Sequence, residues 1–454
     1  MTRKLLREKI DVLAGNGLPC GGPDAVRVGA SIFLSARLGT NLASKQVAHG
    51  EGDLPAEARD RYTSSGYVDA MEWPITAQTW WIYEAFRRIL AAHGGGQANL
   101  VRTNTYFRDL GEFPAMERAR ALLLPVDPPP STVLQVPWRA FPDDTRVIIE
   151  GLAVLPEAGP REVIRSRLGP GAHYSWGVRV QDAAWVAGQT PAHPLRGVFV
   201  ESLADLGPEG ATLATGNLHL DTREGSITAQ ATTCYWRIRT ILEDGGFSPG
   251  DIVQEKIYLR HIQHLPAVER VRRRFYQRAD AAPPVFYLGV DDLGRAPSCH
   301  IEIDAAAHRS RQLLAGETDG ARRFGAAAAA AGPFLLLGGY TARDPQTGRV
   351  VRSAAELGTR GASLPRGEEG ALAAQALAAY DRMEGFLRSQ GSSLEHLVKA
   401  EVYLRNPDDL ASLQAVHRIV FPSAAPALSV IPMTHVDHDP AVLVKVGGIA
   451  LAGR

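Results

Sequence analysis

The chain has 454 residues, 45% of them hydrophobic and 22% charged, with Lys+Arg and Asp+Glu balanced at 49 each. That length exceeds what one ordinary core can organise and suggests about three domains. The charge balance leaves no general field to gather nucleic acid or an anionic membrane.

The first 24 residues read as an extension. Apolar periodicity then predicts two strands within 25–36 and a helix over about 77–92 carrying Trp81, Phe86, Ile89 and Leu90. A strand near 101–108, a shorter helix over about 112–123, and strands over about 132–136 and 146–154 complete this unit. A stretch rich in Pro, Gly and Arg at 156–171 reads as a linker. The same order then returns: strands within 173–189, a helix over about 226–242, a strand after Val253, a helix over about 264–277, and strands over about 285–290 and 300–306. A second linker, 307–321, precedes strands within 322–340. A helix with Leu372, Ala376, Ala379, Met383, Phe386 and Leu387 at helical spacing follows. A strand after Val398, a helix over about 408–420, and strands over about 427–431 and 441–451 end the chain. The apolar run 324–342 is broken by Gly325, Gly332, Pro333, Gly338 and Gly339, which fits two strands and a turn better than a membrane span.

Three segments align without gaps. Gly94, Gly246 and Gly391 each stand seven residues before Val101, Val253 and Val398. Tyr106, Tyr258 and Tyr403 follow five residues later, and Arg108, Arg260 and Arg405 two after those. The period is 152 residues from Arg108 to Arg260 and 145 from Arg260 to Arg405, far longer than a solenoid repeat. Each copy is therefore a domain: 25–155, 172–307 and 322–454, of order ββαβαββ. The glycines fit helix C-caps. A sheet with both helices on one face needs its other face covered, and three such sheets packed face to face form an intramolecular pseudo-trimer.

The Gly–Val–Tyr-x-Arg stretch, the terminal strand pair and Ala187-Gly188-Gln189 resemble the YjgF/RidA family of reactive enamine/imine deaminases. They are also similar to the related chorismatases. The resemblance spans nearly the whole chain three times. It implies an α+β, chorismate-mutase-like fold with sites in the clefts between neighbouring modules. It also implies an Arg for the substrate carboxylate on the strand after the second helix, where this chain has Thr132, Phe286 and Leu428. The family's acidic residue on the last strand aligns with Ile148, Glu302 and Lys445, so only the middle copy keeps it.

Glu302 is the catalytic candidate, for alternation puts it on one face with His300 and Asp304. A half-buried carboxyl there could serve as general acid or base. The substrate-binding candidates are Arg37, Gln189, Glu269, Phe286 and Tyr287. Arg37 ends a strand at the cleft position and Glu269 aligns with a family Asn near the cleft. Phe286 and Tyr287 could form an apolar cleft wall. Arg108, Arg260 and Arg405, shared by all copies, point to a structural role. The pairs His261/His264 and His435/His438 have metal-like spacing but no third ligand in view. Trp80 and Trp81 read as packing between domains. Cys20, Cys234 and Cys299 are odd in number and form no CxxC, which points to reduced, cytoplasmic thiols rather than a disulfide scaffold.

No P-loop, dinucleotide fingerprint or GxSxG elbow is present. The expectation is a cofactor-independent enzyme, metal-free and monomeric. It would act on an enamine, imine or related carbonyl substrate, with no nucleic acid or membrane partner. A chorismatase-like lyase, hydrolase or cyclase is one alternative. A non-catalytic ligand- or partner-binding scaffold is the other.

Overall fold

The computed structural model describes residues 6–453 apart from 14, 16, 65–68, 70, 139–140, 170–173, 194–197, 214–217, 295, 317–323, 369 and 424, and the side chains of 218–224. His173 and Arg322, at the expected starts of the second and third strand pairs, lie outside the described residues.

The first module runs β1 (Arg7–Ile10), β2 (Ala25–Val28), β3 (Ser31–Leu38), α1 (Ala56–Ser64), α2 (Trp73–Ala91), β4 (Leu100–Phe107), α3 (Phe113–Leu123), β5 (Ser131–Gln135) and β6 (Val147–Val154). The second runs β7 (Glu162–Val163), β8 (Gly177–Val180), β9 (Ala183–Gln189), α4 (Pro208–Leu213), α5 (Leu218–Asp244), β10 (Ile252–Leu259), α6 (Leu265–Tyr276), β11 (Val285–Gly289) and β12 (Ile301–His308). The third runs β13 (Gln312–Leu314), β14 (Ala328–Ala331), β15 (Phe334–Leu337), α7 (Ala371–Ser389), β16 (Leu397–Leu404), α8 (Leu410–Val420), β17 (Ala427–Pro432) and β18 (Val444–Leu451).

Each module builds one six-stranded sheet, and the three orders correspond: β1-β2-β3-β6-β4-β5, β7-β8-β9-β12-β10-β11 and β13-β14-β15-β18-β16-β17. The edge pairs β4–β5, β10–β11 and β16–β17 are parallel, because a helix crosses between their strands, and the remaining pairs are antiparallel. This is an α+β fold of three tandem YjgF/RidA-like domains.

The local signals explain the elements. Pro114 and Pro266 open α3 and α6 within the first turn, where the missing N–H costs no helical bond. Gly94, Gly246 and Gly391 have φ of 79°, 77° and 71°, the left-handed turn that ends each long helix. The structure adds one strand per sheet to the expected order. β1 forms inside the stretch read as an extension, and β7 and β13 form inside the stretches read as linkers. Short strands of two to four residues signal weakly in sequence, and here pairing with β2, β8 and β14 defines them. The helices α1 and α4 were also not anticipated.

Helices cover the outer face of each sheet, over cores centred on Ile82 and Phe86, Tyr235 and Ile238, and Leu377 and Tyr380. The inner faces meet around Tyr106, Tyr258 and Tyr403. The seams place β5 beside β9, β10 beside β14, and β17 beside β3. Near the pseudo-threefold axis the modules exchange buried ion pairs. Arg102 of the first reaches Asp304 of the second at 2.7 Å, and Lys399 of the third reaches Glu150 of the first at 2.7 Å. Lys256 of the second pairs with Glu401 of the third. No helix among the described residues is long and apolar enough to cross a membrane.

Candidate functional site

Glu302 lies on β12 directly opposite Tyr258 of β10, so its side chain is on the inner face of the second sheet. It is 4% exposed and runs against Gly188 of β9. A Cβ at Gly188 would sit 1.7 Å from Glu302 Oε1, so only glycine leaves the carboxyl room. Glu302 and Gly188 form one wall of a cavity of about 70 Å³ between the first and second modules. The facing wall comes from α3 and β5 of the first module: Glu117, Arg120 and Ser131.

Arg120 was not anticipated from sequence. It is 1% exposed and its Nη2 donates to Glu117 Oε2 at 2.8 Å. Its guanidinium joins the cavity lining from α3, whereas Thr132 on the neighbouring β5 turns to Asp304 at 3.1 Å. Its signal was present in the repeat. The positions three residues after Glu117, Glu269 and Gln414 are Arg120, Arg272 and His417. On an amphipathic helix, however, such a pattern reads as a solvated face.

The structure distributes the remaining candidates over three different places. Gln189 alternates to the helix side of β9, where its Oε1 accepts from Arg237 Nε of α5 at 3.0 Å. It braces the strand end beside Gly188 and does not face the cavity. Glu269 and Tyr287 belong to the second module's other flank. The Tyr287 hydroxyl donates to Glu269 beneath α6, so Tyr287 is on the face opposite Phe286 and forms no cleft wall with it. Phe286 does enter the seam between the second and third modules. Its ring packs on Tyr403 at 5.6 Å and occupies the space beside Gly447. Lys445, the counterpart of Glu302, is wholly buried there against Gly339, with Nζ donating to Tyr287 O at 3.3 Å. In the seam between the third and first modules, Arg37 is 1% exposed and donates to Asp24 at 2.8 Å. The neighbouring Ser35 hydroxyl accepts from the Leu428 N–H at 3.0 Å. Among the described residues, Phe286 and Lys445 in the second seam, and Arg37 and Ser35 in the third, stand at positions that correspond to those around the first seam's cavity.

The other motifs resolve structurally. Arg260 donates to Pro297 O at 2.6 Å, and Arg108 and Arg405 hold Asp143 O and Pro440 O, so all three pin the loop entering the last strand. His261 and His264 pack with His300, ring centroids 5.5–5.6 Å apart. Burial first, and then the two neighbouring imidazoles, take His264 down to about 4. Among the described residues no group of three His, Cys, Asp or Glu is arranged to hold a metal ion. Burial pushes the Cys299 thiol up to about 12, which removes it as a nucleophile at neutral pH. Trp80 and Trp81 pack edge to face at 4.6 Å against α1 of their own module, contrary to the expected interdomain role.

Three sheets enclosing an inter-module cleft with a buried carboxyl and guanidinium define a pseudo-trimeric, cleft-bearing class of α+β protein. Within it, the middle module matches the family described as Endoribonuclease L-PSP over residues 164–309, and it is a YjgF/RidA-family domain. The chain is 26% identical over 120 residues to a RutC family protein of Pyrococcus horikoshii, covering 26% of this chain and 80% of that one. It is 29% identical over 125 residues to a RutC family protein of Synechocystis, covering 27% and 82%. Among solved structures, Escherichia coli TdcF with bound serine is 22% identical, covering 33% of this chain and 99% of its own, with a TM-score of 0.25.

Proposed function

We propose that the chain is a cofactor-independent enzyme that acts on a small enamine, imine or related carbonyl substrate in the cleft between its first and second modules. The observation that supports this reading most is the asymmetry of the seams. Buried Glu302 and Arg120 line a cavity in one, while Phe286 with Lys445, and Arg37 with Asp24, occupy the other two. A cavity lined by a buried carboxyl and guanidinium in one seam, with Phe286, Lys445 and Arg37 packed at the corresponding described positions of the other two, is what one working site in a fused trimer would leave.

In this reading Arg120 attracts the anionic end of the substrate. Glu302 takes a proton from a water as it adds to the C=N carbon and passes it to the nitrogen; it then takes the hydroxyl proton of the resulting carbinolamine and delivers that to the same nitrogen as the C–N bond breaks, giving a carbonyl compound and ammonia. RNA cleavage, which the family's description names, is not carried over, since the chain has no excess of basic residues.

The test is ammonia release from a panel of small imines and enamines generated in situ. Glu302→Gln should lower turnover by about 100-fold or more with the melting temperature kept. Arg120→Lys should raise KM more than it lowers kcat, because it keeps charge but loses the planar fork. Equal rates for wild type and Glu302→Gln would overturn the assignment.

A further inference from the structure

A second cavity lies on the pseudo-threefold axis and shares no residue with the cleft. Its rim is three corresponding hairpin turns, at Gly29–Ala30, Gln181–Asp182 and Gly332–Pro333. Below the rim its volume is about 280 Å³. Two rings of corresponding residues line it: Phe33, Trp185 and Leu336, then Leu152, Ala306 and Ile449. In an assembly of identical chains each ring would repeat one side chain. Here they differ, and Ala306, directly beside Trp185 in the β12–β9 ladder, leaves that side of the cavity open.

The same six residues also wall a smaller, polar cavity of about 60 Å³ nearer the centre. It adds Arg102, Lys399, Glu150 and Glu401 to the lining. The cations are committed. Arg102 serves Asp304 and Asn104, and Lys399 serves Glu150, Ser429 and Leu34 O. Of the two anions, Glu150 is fully used, by Asn104, Tyr106, Lys399 and Ser429. Glu401 pairs with Lys256 through Oε1, while its buried Oε2 accepts no hydrogen bond. A buried acceptor left open is unfavourable, more so when it is charged, and a donor entering from the axis would relieve it.

We propose that this axial funnel binds a primary ammonium ion carrying an apolar body about the size of one aromatic ring. The aromatic faces of Phe33 and Trp185 would hold the body and favour the cation, and Glu401 would take the ammonium N–H. A carboxylate ligand is disfavoured because Arg102 and Lys399 already hold internal partners.

The experiment is titration of the full chain with phenethylammonium, followed by tryptophan emission, with 2-phenylethanol and 3-phenylpropanoate as matched probes. The ammonium should quench saturably, and at least about tenfold more tightly than either probe, or about 1.4 kcal/mol. Trp185→Phe should abolish the quench. Ala306→Leu, which fills the open side, should weaken binding about tenfold with the circular dichroism spectrum unchanged. Glu401→Gln should bring the ammonium down to the affinity of the alcohol. Absence of saturable quenching, its persistence in Trp185→Phe, or equal binding of the carboxylate would each overturn the proposal.

Discussion

His417 exemplifies how position changes a residue's meaning. It stands where Arg120 and Arg272 stand in the other modules, yet it is buried with Nε2 at 2.9 Å from the Tyr380 hydroxyl and its ring against Phe421. Burial takes its pKa down to about 3. An unfolded chain would hold it near about 6.5. The unfolded state therefore binds the proton first as pH falls. The stability tied to a neutral His417 is full above about pH 6.5 and is lost on acidification toward about pH 3. The loss should approach about 1.4 kcal/mol per pH unit. Urea unfolding midpoints from pH 7 to 4 should fall less steeply for His417→Gln than for wild type, and parallel curves would refute this. Glu302 and Arg120 illustrate the complementary lesson. The strand alternation that put Glu302 on the inner face was legible. That Arg120 faces it from another module was not, because helical periodicity gives a residue's face and not its neighbour across a seam.

At the scale of elements, a clasp recurs where each added edge strand begins. Arg161 Nε donates to Leu100 O at 2.8 Å, binding the start of the second module to β4 of the first. Arg311 Nη1 donates to Ile252 O at 2.8 Å, joining the third to the second. Arg7 Nε donates to Leu397 O at 2.9 Å, joining the first to the third across 390 residues of sequence. The first two clasps join neighbours in sequence, and Arg7 closes the ring. Arg7→Ala should cost about 1–2 kcal/mol, as for a charged hydrogen bond that is half-buried. It should speed amide exchange in β16 and α8 more than in the first two modules. Uniform exchange across the chain would argue that the seam between the third and first modules does not open separately. The motif escaped the sequence reading because β1, β7 and β13 have two to four residues each, too short for alternation to register.

Across the whole molecule, the axial ion pairs give the pseudo-trimer its order. Each module offers a cation to one neighbour and an anion to the other, a pattern that fusion permits and identical subunits could not vary. Burial alone would raise the Glu150 carboxyl, but Lys399 and Lys256 outweigh it and hold it below the usual carboxylate range. Lys399→Met should therefore cost about 3–5 kcal/mol by stranding Glu150. Adding Glu150→Leu should restore most of that loss in chemical denaturation, whereas no recovery would show that Lys399 acts through its other bonds. With all three inner faces already covered, the chain should sediment as a 48.9 kDa monomer, and a stable trimer of chains would contradict the intramolecular arrangement.

The sequence by itself determined the three modules, the ββαβαββ order at the core of each and their fold, but not the edge strands β1, β7 and β13 or the helices α1 and α4. Those features rest on local periodicity, helix-ending glycines and a repeat in register, all of which survive without knowing what touches what. Tertiary structure decided which side chains meet at each seam. Phe286, Lys445, Arg37 and Ile148 occupy positions homologous to those around Glu302, and nothing local distinguishes a side chain that lines a cavity from one that fills it. That difference arises only where two sheets meet, from the volumes and charges that the facing module supplies.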